Sequence, residues 1–328
     1  VGRARMAQKA KTTKAKFEYK PDIYNDDKNT EQDYQDAVSN KEALAVELRE
    51  FDLRPFASEL YNQQLPQFIH LEKLVLENCN LDSFVPKGLG KLKVLSLMGN
   101  SIPNMNLLRL TRMSQDEAAA RPQENNRTFI PEVSLESLNL SNNNFECFPW
   151  VAICQMKDLT VINLGRNRIS QIFDAQEKKE MQRIMSTEFS GVRRQPFDVF
   201  KKLVNLDLSS NLLTQFPTEL NVLKLEELNL MNNLIETIPN SFYSGSEISR
   251  SLKRLLLNQN ELKELDSKIS NISQLEVLGI AMTKITKLPQ TIARISSLRE
   301  IYVKETPLKQ PKLALAMRGI GAIREFFQ

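Results

Sequence analysis

The sequence predicts an α/β fold, a solenoid of stacked repeats in which each unit contributes one short β-strand. Three observations predict it. The stretch from Leu203 to Leu213 reads L-x-x-L-x-L-x-x-N-x-L. The same frame restarts at Leu71, Leu92, Leu135, Leu159, Leu225, Leu252, Leu275 and Leu298. A second apolar layer then follows at a fixed distance, at Phe84, Met105, Phe148, Ile172, Phe216, Ile238, Leu265 and Leu288, with proline directly after four of these. Leu206 and Leu208 alternate with the period of a strand that buries one face. Asn211 ends that strand, because an inward amide can both donate to and accept from backbone groups that a turn leaves open. One such copy cannot bury its own apolar face, so the copies must stack.

Taken in order, residues 1–20 are basic (Arg3, Arg5, Lys9, Lys11, Lys14, Lys16 and Lys20 against Glu18) and residues 21–42 are mostly acidic. Apolar residues there are few and unperiodic, so residues 1–40 are expected to form a charged, extended arm without a core of its own. Arg3, Arg5, Lys9, Lys11 and the aromatic anchors Tyr19, Tyr24 and Tyr34 would meet a negatively charged partner. Nucleic acid could be reached only through this arm; an import leader is disfavoured because lysine outnumbers arginine. Residues 41–328 form the repeat domain. Lys41 to Arg49 reads as a short helix covering the first strand, and a degenerate first copy begins at Leu48 with Phe51 and Leu53 in the strand positions. That makes about ten copies.

Asn100, Asn143, Asn167, Asn211, Asn233 and Asn260 hold the ladder position, with Cys79, Thr283 and Thr306 in the remaining clear copies. Start-to-start lengths from Leu71 are 21, 43, 24, 44, 22, 27, 23 and 23 residues. The long copies gain their residues after the ladder, on the return path. They give insertions at about 103–134 and 173–202, expected to emerge side by side as a platform. Met105 to Ala120 reads as helix. Asp174-Ala175-Gln176-Glu177 reads as a helix start, with Met181, Ile184 and Met185 at helical spacing and Arg193 and Arg194 beyond. Residues 312–328 close the stack, as one helix with Leu313, Met317, Ile320, Ile323 and Phe327 on one face.

These motifs resemble the leucine-rich repeat family over roughly residues 48–328. The apolar-Pro step after the ladder and the segment Pro307 to Phe327 are similar to the short intracellular subtype, the Ras-suppressor-like and plant Ras-group proteins. The resemblance implies a curved right-handed solenoid with a parallel sheet on its concave face, and protein binding as its role. The frame then places Asn139, Asn163, Arg166, Asp207, Asn229, Met231, Leu256, Met282 and Tyr302 on that face, polar in the middle and apolar toward the C-terminus. No aromatic rail or basic stripe runs along it, which argues against single-stranded nucleic acid there.

The bulk properties narrow the function. A hydrophobic content of 41% is ample for a continuous core, and a net charge of +4 gives no strong overall field. Three cysteines without clustered caps fit a reducing compartment. No apolar run is long enough to span a membrane. A single histidine removes most histidine-based acid–base and triad schemes, and Gly88-Leu89-Gly90-Lys91 lacks the phosphate-loop spacing. No catalytic residue, cofactor, metal site or small-molecule substrate is expected. The leading expectation is a structural, non-catalytic subunit of a large assembly, bound through arm, insertions and concave face. A cytoplasmic, cytoskeletal or ciliary place comes first, and a ribonucleoprotein or organellar particle second. The alternative is a regulatory adaptor that binds a small GTPase or phosphatase through the concave face.

Overall fold

The computed structural model describes residues 2–7, 14–19, 34–35, 38–84, 89–103, 134–188 and 195–328. The chain falls into two compact units, Val1–Phe145 with Pro149–Leu159, and Glu146–Phe148 with Thr160–Gln328. Each is an α/β solenoid segment of stacked repeats. In the first unit, β1 (Gly2–Ala7) and β2 (Lys14–Tyr19) pair antiparallel, and β2 runs parallel to β3 (Ala45–Arg49). β3, β4 (Lys73–Glu77), β5 (Val94–Ser96) and β6 (Ser137–Asn139) then follow as parallel neighbours. In the second unit β7 (Val161–Asn163) and β8 (Asn205–Asp207) are parallel neighbours, as are β8 and β9 (Glu227–Asn229). β10 (Arg254–Leu256), β11 (Val277–Gly279) and β12 (Glu300–Tyr302) continue the series. Each repeat strand from β3 to β12 turns its alternating apolar residues inward, as Leu206 and Leu208 show by full burial. Each such side chain stabilises by about 1.5–3 kcal/mol.

The first copy differs from the expected frame. Residues 45–49 are strand rather than helix, and Val46 and Leu48 register against Leu74 and Leu76. The frame therefore starts at Ala43, with Phe51 in the ladder position and Leu53 after it. Five apolar residues in the eight from Lys41 to Leu48 fit a helix, but Val46 and Leu48 alternate like a strand. Glu47 between them accepts an ion pair from Lys73 on β4 at 2.7 Å. Tyr34, expected to anchor a partner, is instead fully buried and stacks on Phe56 at 4.5 Å; Val38 is buried as well.

The ladder side chains tie consecutive copies together. Asn233 Nδ2 donates to the carbonyls of Leu208, Leu230 and Met231, and its Oδ1 accepts from Leu213 N at 3.0 Å. Asn260 repeats this with Leu230, Leu257 and Ile235 N. Asn211 does so with Leu164, Leu208 and Ile169 N. Where the ladder residue is Thr283 or Thr306, the hydroxyl donates only to its own copy, to Ile280 O and Val303 O. Cys79 Sγ donates weakly to Leu48 O. The residue before the ladder is left-handed in every copy: Glu50, Asn78, Gly99, Asn142, Arg166, Ser210, Asn232, Gln259, Met282 and Glu305 all have φ between 52° and 71°.

The return paths are short helical turns, such as Thr218–Val222, Ser267–Asn271 and Gln290–Arg294. The 173–202 insertion contains the expected helix, Ala175–Glu188, whose Asp174 Oδ1 accepts from Glu177 N at 2.6 Å. It is rooted in an aromatic cluster of Phe148, Phe173, Phe197 and Phe200, with ring centroids 5.0–6.2 Å apart. The extra residues of the copy starting at Leu225 fold inward as a second short helix, Glu247–Ser251, burying Ile248. The 103–134 insertion, with its expected helix Met105 to Ala120, lies outside the described residues apart from its ends. The closing segment is two helices, Leu313–Ala316 and Ile320–Phe327, rather than one. Gly319, at φ +97°, separates them, and the break turns Met317 out to solvent.

Removing a ladder amide leaves several buried backbone groups unpaired, so Asn233→Leu is expected to destabilise the chain by roughly 2–4 kcal/mol. Thr283→Val, which loses one donor bond, is expected to cost about 1 kcal/mol. Equilibrium urea unfolding checks both, and equal costs would show that the amide does not tie the copies.

Candidate protein-binding face

Registered pairing sets Asn163, Asp207, Asn229, Leu256, Gly279 and Tyr302 in one row across β7 to β12. Adjacent members stand about 4.8 Å apart. All occupy the position between the two inward apolar residues, so they lie on the face opposite the core. The polar members have a local duty. Asn163 Oδ1 accepts from Gly165 N at 2.9 Å, Asp207 Oδ1 from Ser209 N at 2.8 Å, and Asn229 Oδ1 from Met231 N at 3.1 Å. Asn139 does the same for Ser141 N in the first unit, at 3.1 Å. Each is a turn in which the side chain holds the backbone two residues on and ends the strand. Asn229 Nδ2 also donates to Asp207 Oδ2 at 3.2 Å.

The C-terminal members are released from that duty. Asn258, on the strand side of the next turn, accepts from Ala281 N at 2.8 Å. A methyl group on Gly279 would lie 2.7 Å from Asn258 Nδ2, so this position must stay bare. Gly279 thus forms the floor between Leu256 and Tyr302. Tyr302 is 45% exposed and Met282 41% exposed, and Met231 and Leu256 are half-buried. Charges of both signs rim the patch: Arg254 pairs with Glu227 at 3.3 Å, and the Tyr302 hydroxyl donates to Glu300 at 2.5 Å. That carboxylate beside the Tyr302 phenol raises its pKa. Arg166 and Met282, expected on the face, hold the left-handed turn position, and both are exposed.

The residues expected to bind through the insertion and arm are placed less uniformly. Ile184 is only 7% exposed, which corrects its expected outward role, and Met181 and Met185 are half-buried. Phe173 and Phe197 likewise point into the core. An amphipathic helix packs its apolar stripe on its own protein before any partner. Arg193 and Arg194 lie outside the described residues, as do Lys9, Lys11 and Tyr24. Arg3 and Arg5 lie on β1 and Tyr19 ends β2. Gly165, Ser209 and Asn258 are structurally central here; the signal for Gly165 and Ser209 was the Asn or Asp two residues earlier, and Asn258 had none.

The Leucine Rich Repeat family matches the chain at residues 70–92, 134–156 and 224–244. With the fold, this places the chain among the leucine-rich repeat proteins. Among curated relatives it is similar to adenylate cyclase of Schizosaccharomyces pombe, 29% identical over 195 residues, 55% of this chain and 11% of the cyclase. It is also similar to fibromodulin of Oryctolagus cuniculus, 28% identical over 169 residues, 50% of this chain and 98% of fibromodulin. The chain thus spans only a small part of the cyclase's length. Among solved structures it resembles a leucine-rich repeat protein of Leptospira interrogans, 24% identical, TM-score 0.41, covering 80% of this chain and 72% of the other. Leucine-rich repeat proteins bind other proteins. No helix among the described residues is long and apolar enough to cross a membrane.

Cys79, Cys147 and Cys154 are buried and unbridged. Burial pushes the Cys79 and Cys147 thiols up to about 12, so neither is a nucleophile at neutral pH. A thiol whose folded pKa lies above its unfolded value adds stability that is complete below the unfolded value. That contribution is lost as pH rises from about 8.5 toward the folded value. Thiol-reagent labelling of single-cysteine variants is therefore expected to require opening of the fold, on the order of a thousandfold slower in native buffer than in denaturant. Cys79 reports on the first unit and Cys147 on the second. Fast labelling of native Cys79 would contradict its burial.

Proposed function

We propose that the chain is a non-catalytic protein-binding scaffold and a structural subunit of a large intracellular assembly, with the β7 to β12 face as its main recognition surface. The observation that carries this is the patch around Leu256, Gly279, Met282 and Tyr302. Met282 and Tyr302 are exposed and Leu256 is half-buried, while Asn163, Asp207 and Asn229 along the same row each end a strand. Aromatic and apolar anchors set in a rim of paired charge are the make-up of a protein-binding hot spot. The reversal from a basic to an acidic arm supports a second contact by charge, with acidic protein or nucleic acid as its partner. The three unbridged thiols support a reducing, cytoplasmic setting, cytoskeletal or ciliary in first place. The short intracellular subtype fits the same setting.

Size fractionation of a gentle native extract, with mass spectrometry of co-migrating proteins, tests this. Deleting residues 1–42 is a poor control, since Tyr34 and Val38 belong to the core. Charge reversal of Arg3, Arg5, Lys9 and Lys11 changes the charge of the arm while retaining Tyr34 and Val38. The unaltered chain is expected in a large, salt-resistant particle. Tyr302→Glu combined with Leu256→Glu is expected to weaken its incorporation by at least about thirtyfold, as loss of a hot spot does. Charge reversal of the arm is expected to weaken it in a salt-dependent way. Migration of the unaltered chain at monomer size, or with one small partner, would overturn the structural-subunit reading.

A further inference from the structure

We propose that the outward side of the hairpin of β1 and β2 docks on the phosphate backbone of double-stranded RNA without reading its sequence. This names the partner of the charged second contact and rests on its cytoplasmic setting, where duplex nucleic acid is RNA. Strand register sorts the hairpin into two sets. Across β2 and β3, Ala15 pairs with Val46 and Lys16 with Glu47. Val46 is fully buried on the core side, so Glu47 marks the opposite side. By the same alternation Lys14, Lys16 and Glu18 share the Glu47 side with Arg3, Arg5 and Ala7. Ala15, Phe17 and Tyr19 fall on the Val46 side with Gly2, Ala4 and Met6. The outward set is thus basic except at Glu18 and Ala7, and both aromatic residues of the hairpin belong to the other set.

That sorting is not what the fold asks for. Arg5 stands directly opposite Lys16, and like charges so placed destabilise a strand pair. The neighbouring carboxylates have no need of these cations either. Glu47 pairs with Lys73 at 2.7 Å and with Arg49 at 3.9 Å, and Arg49 also pairs with Glu77. The order Arg3, Arg5, Lys16, Lys14 sets each base about 5–7 Å from the next, inside the Debye length of physiological salt. An anion from outside relieves that repulsion.

The make-up of the set selects the anion. A protein partner is held by aromatic and apolar anchors, and the outward set has none. Single strands stack their bases on aromatic side chains, and those too belong to the other set. Charge alone is left, so the partner must carry it at high, fixed density. A nucleic-acid duplex carries on the order of one negative charge per 1.7 Å of its axis. An extended acidic peptide carries at most one per residue, about every 3.4 Å.

The test is fluorescence anisotropy of labelled RNA with the full chain, using two short duplexes of unrelated sequence, one of their single strands, and poly-L-glutamate as competitor. Both duplexes are expected to bind alike and to weaken on the order of a hundredfold between about 50 and 200 mM salt, the dependence of about four phosphate contacts. The single strand is expected to bind at least about tenfold more weakly, for want of a stacking platform. Poly-L-glutamate at equal charge is expected not to displace the duplex. Arg5→Gln with Lys16→Gln removes two contacts together with the repulsion between the strands. It is expected to weaken the duplex at least about tenfold and to halve the salt slope, while amide exchange over residues 14–19 shows the strand pairing kept. Glu18→Gln, opposite Arg3, is expected to tighten binding. An unchanged slope in the double variant, a single strand bound as tightly as the duplex, a strong preference between the duplexes, or displacement by poly-L-glutamate would overturn the proposal, the last in favour of an acidic protein. If the chain enters its particle but binds no duplex, the RNA contact fails and the assembly reading stands. If it binds the duplex yet migrates as a monomer, the RNA contact stands and the assembly reading fails.

Discussion

The buried amide of the ladder asparagine is the interaction on which the rest of the structure depends. A strand of three residues cannot hold itself, and the turn after it points two carbonyls and an N–H into the core. Water cannot reach them, and leaving one unpaired costs about 1–3 kcal/mol. Asn233 satisfies groups from its own copy and from the copy before it in one side chain. Stability is thereby shared between neighbours, which is what makes a stack of otherwise unstable units cohere. The geometry has a backbone cost, because the residue before the ladder must enter the left-handed region. That the chain places Arg166, Met282 and Glu305 there, rather than glycine, shows how strongly the surrounding bonds determine the turn.

Outside the core, equivalent positions in successive copies form columns, and the columns carry charge in order. From β9 to β12 the residue one place before each strand runs Glu226, Lys253, Glu276 and Arg299. Lys253 pairs with Glu226 and feels Glu276 on its other side. Glu72 and Lys93 pair in the same column of the first unit at 3.1 Å. Each exposed pair contributes at most about 1 kcal/mol. Alternation nevertheless favours each copy against its true neighbour and disfavours a stack that skips one. It is a constraint on order more than a source of stability.

The repeat copies were legible because their signal is redundant: alternation, ladder residue and second apolar layer all mark the same frame. Legibility fails where that redundancy fails. In the first copy Phe51 replaces the ladder polar residue, and without it the alternation of Val46 and Leu48 was read as a helix face. In the closing segment the pattern of Leu313, Met317 and Ile320 suits one helix, yet Gly319 turns the backbone through a region no helix allows. On the face, the asparagines were visible as outward residues. Their role in ending strands was not, since it depends on where the backbone N–H two residues on points. For the helix Ala175–Glu188 the cap was legible at Asp174, but the burial of Ile184 depends on packing that periodicity alone does not assign.

The face itself divides along the same line. From β7 to β9 the row is asparagine and aspartate because the strand end there needs an oxygen from that position. At β11 the oxygen comes instead from Asn258 of the copy before, which accepts from Ala281 N. Position 279 is thereby released from the duty, and a side chain there would press on the Asn258 amide that holds the turn. The bare floor between Leu256 and Tyr302 follows from that exchange. Asp207 stands on the other side of that exchange, where the turn is still made locally. There the only freedom left to the row is charge, and charge is what this position adds.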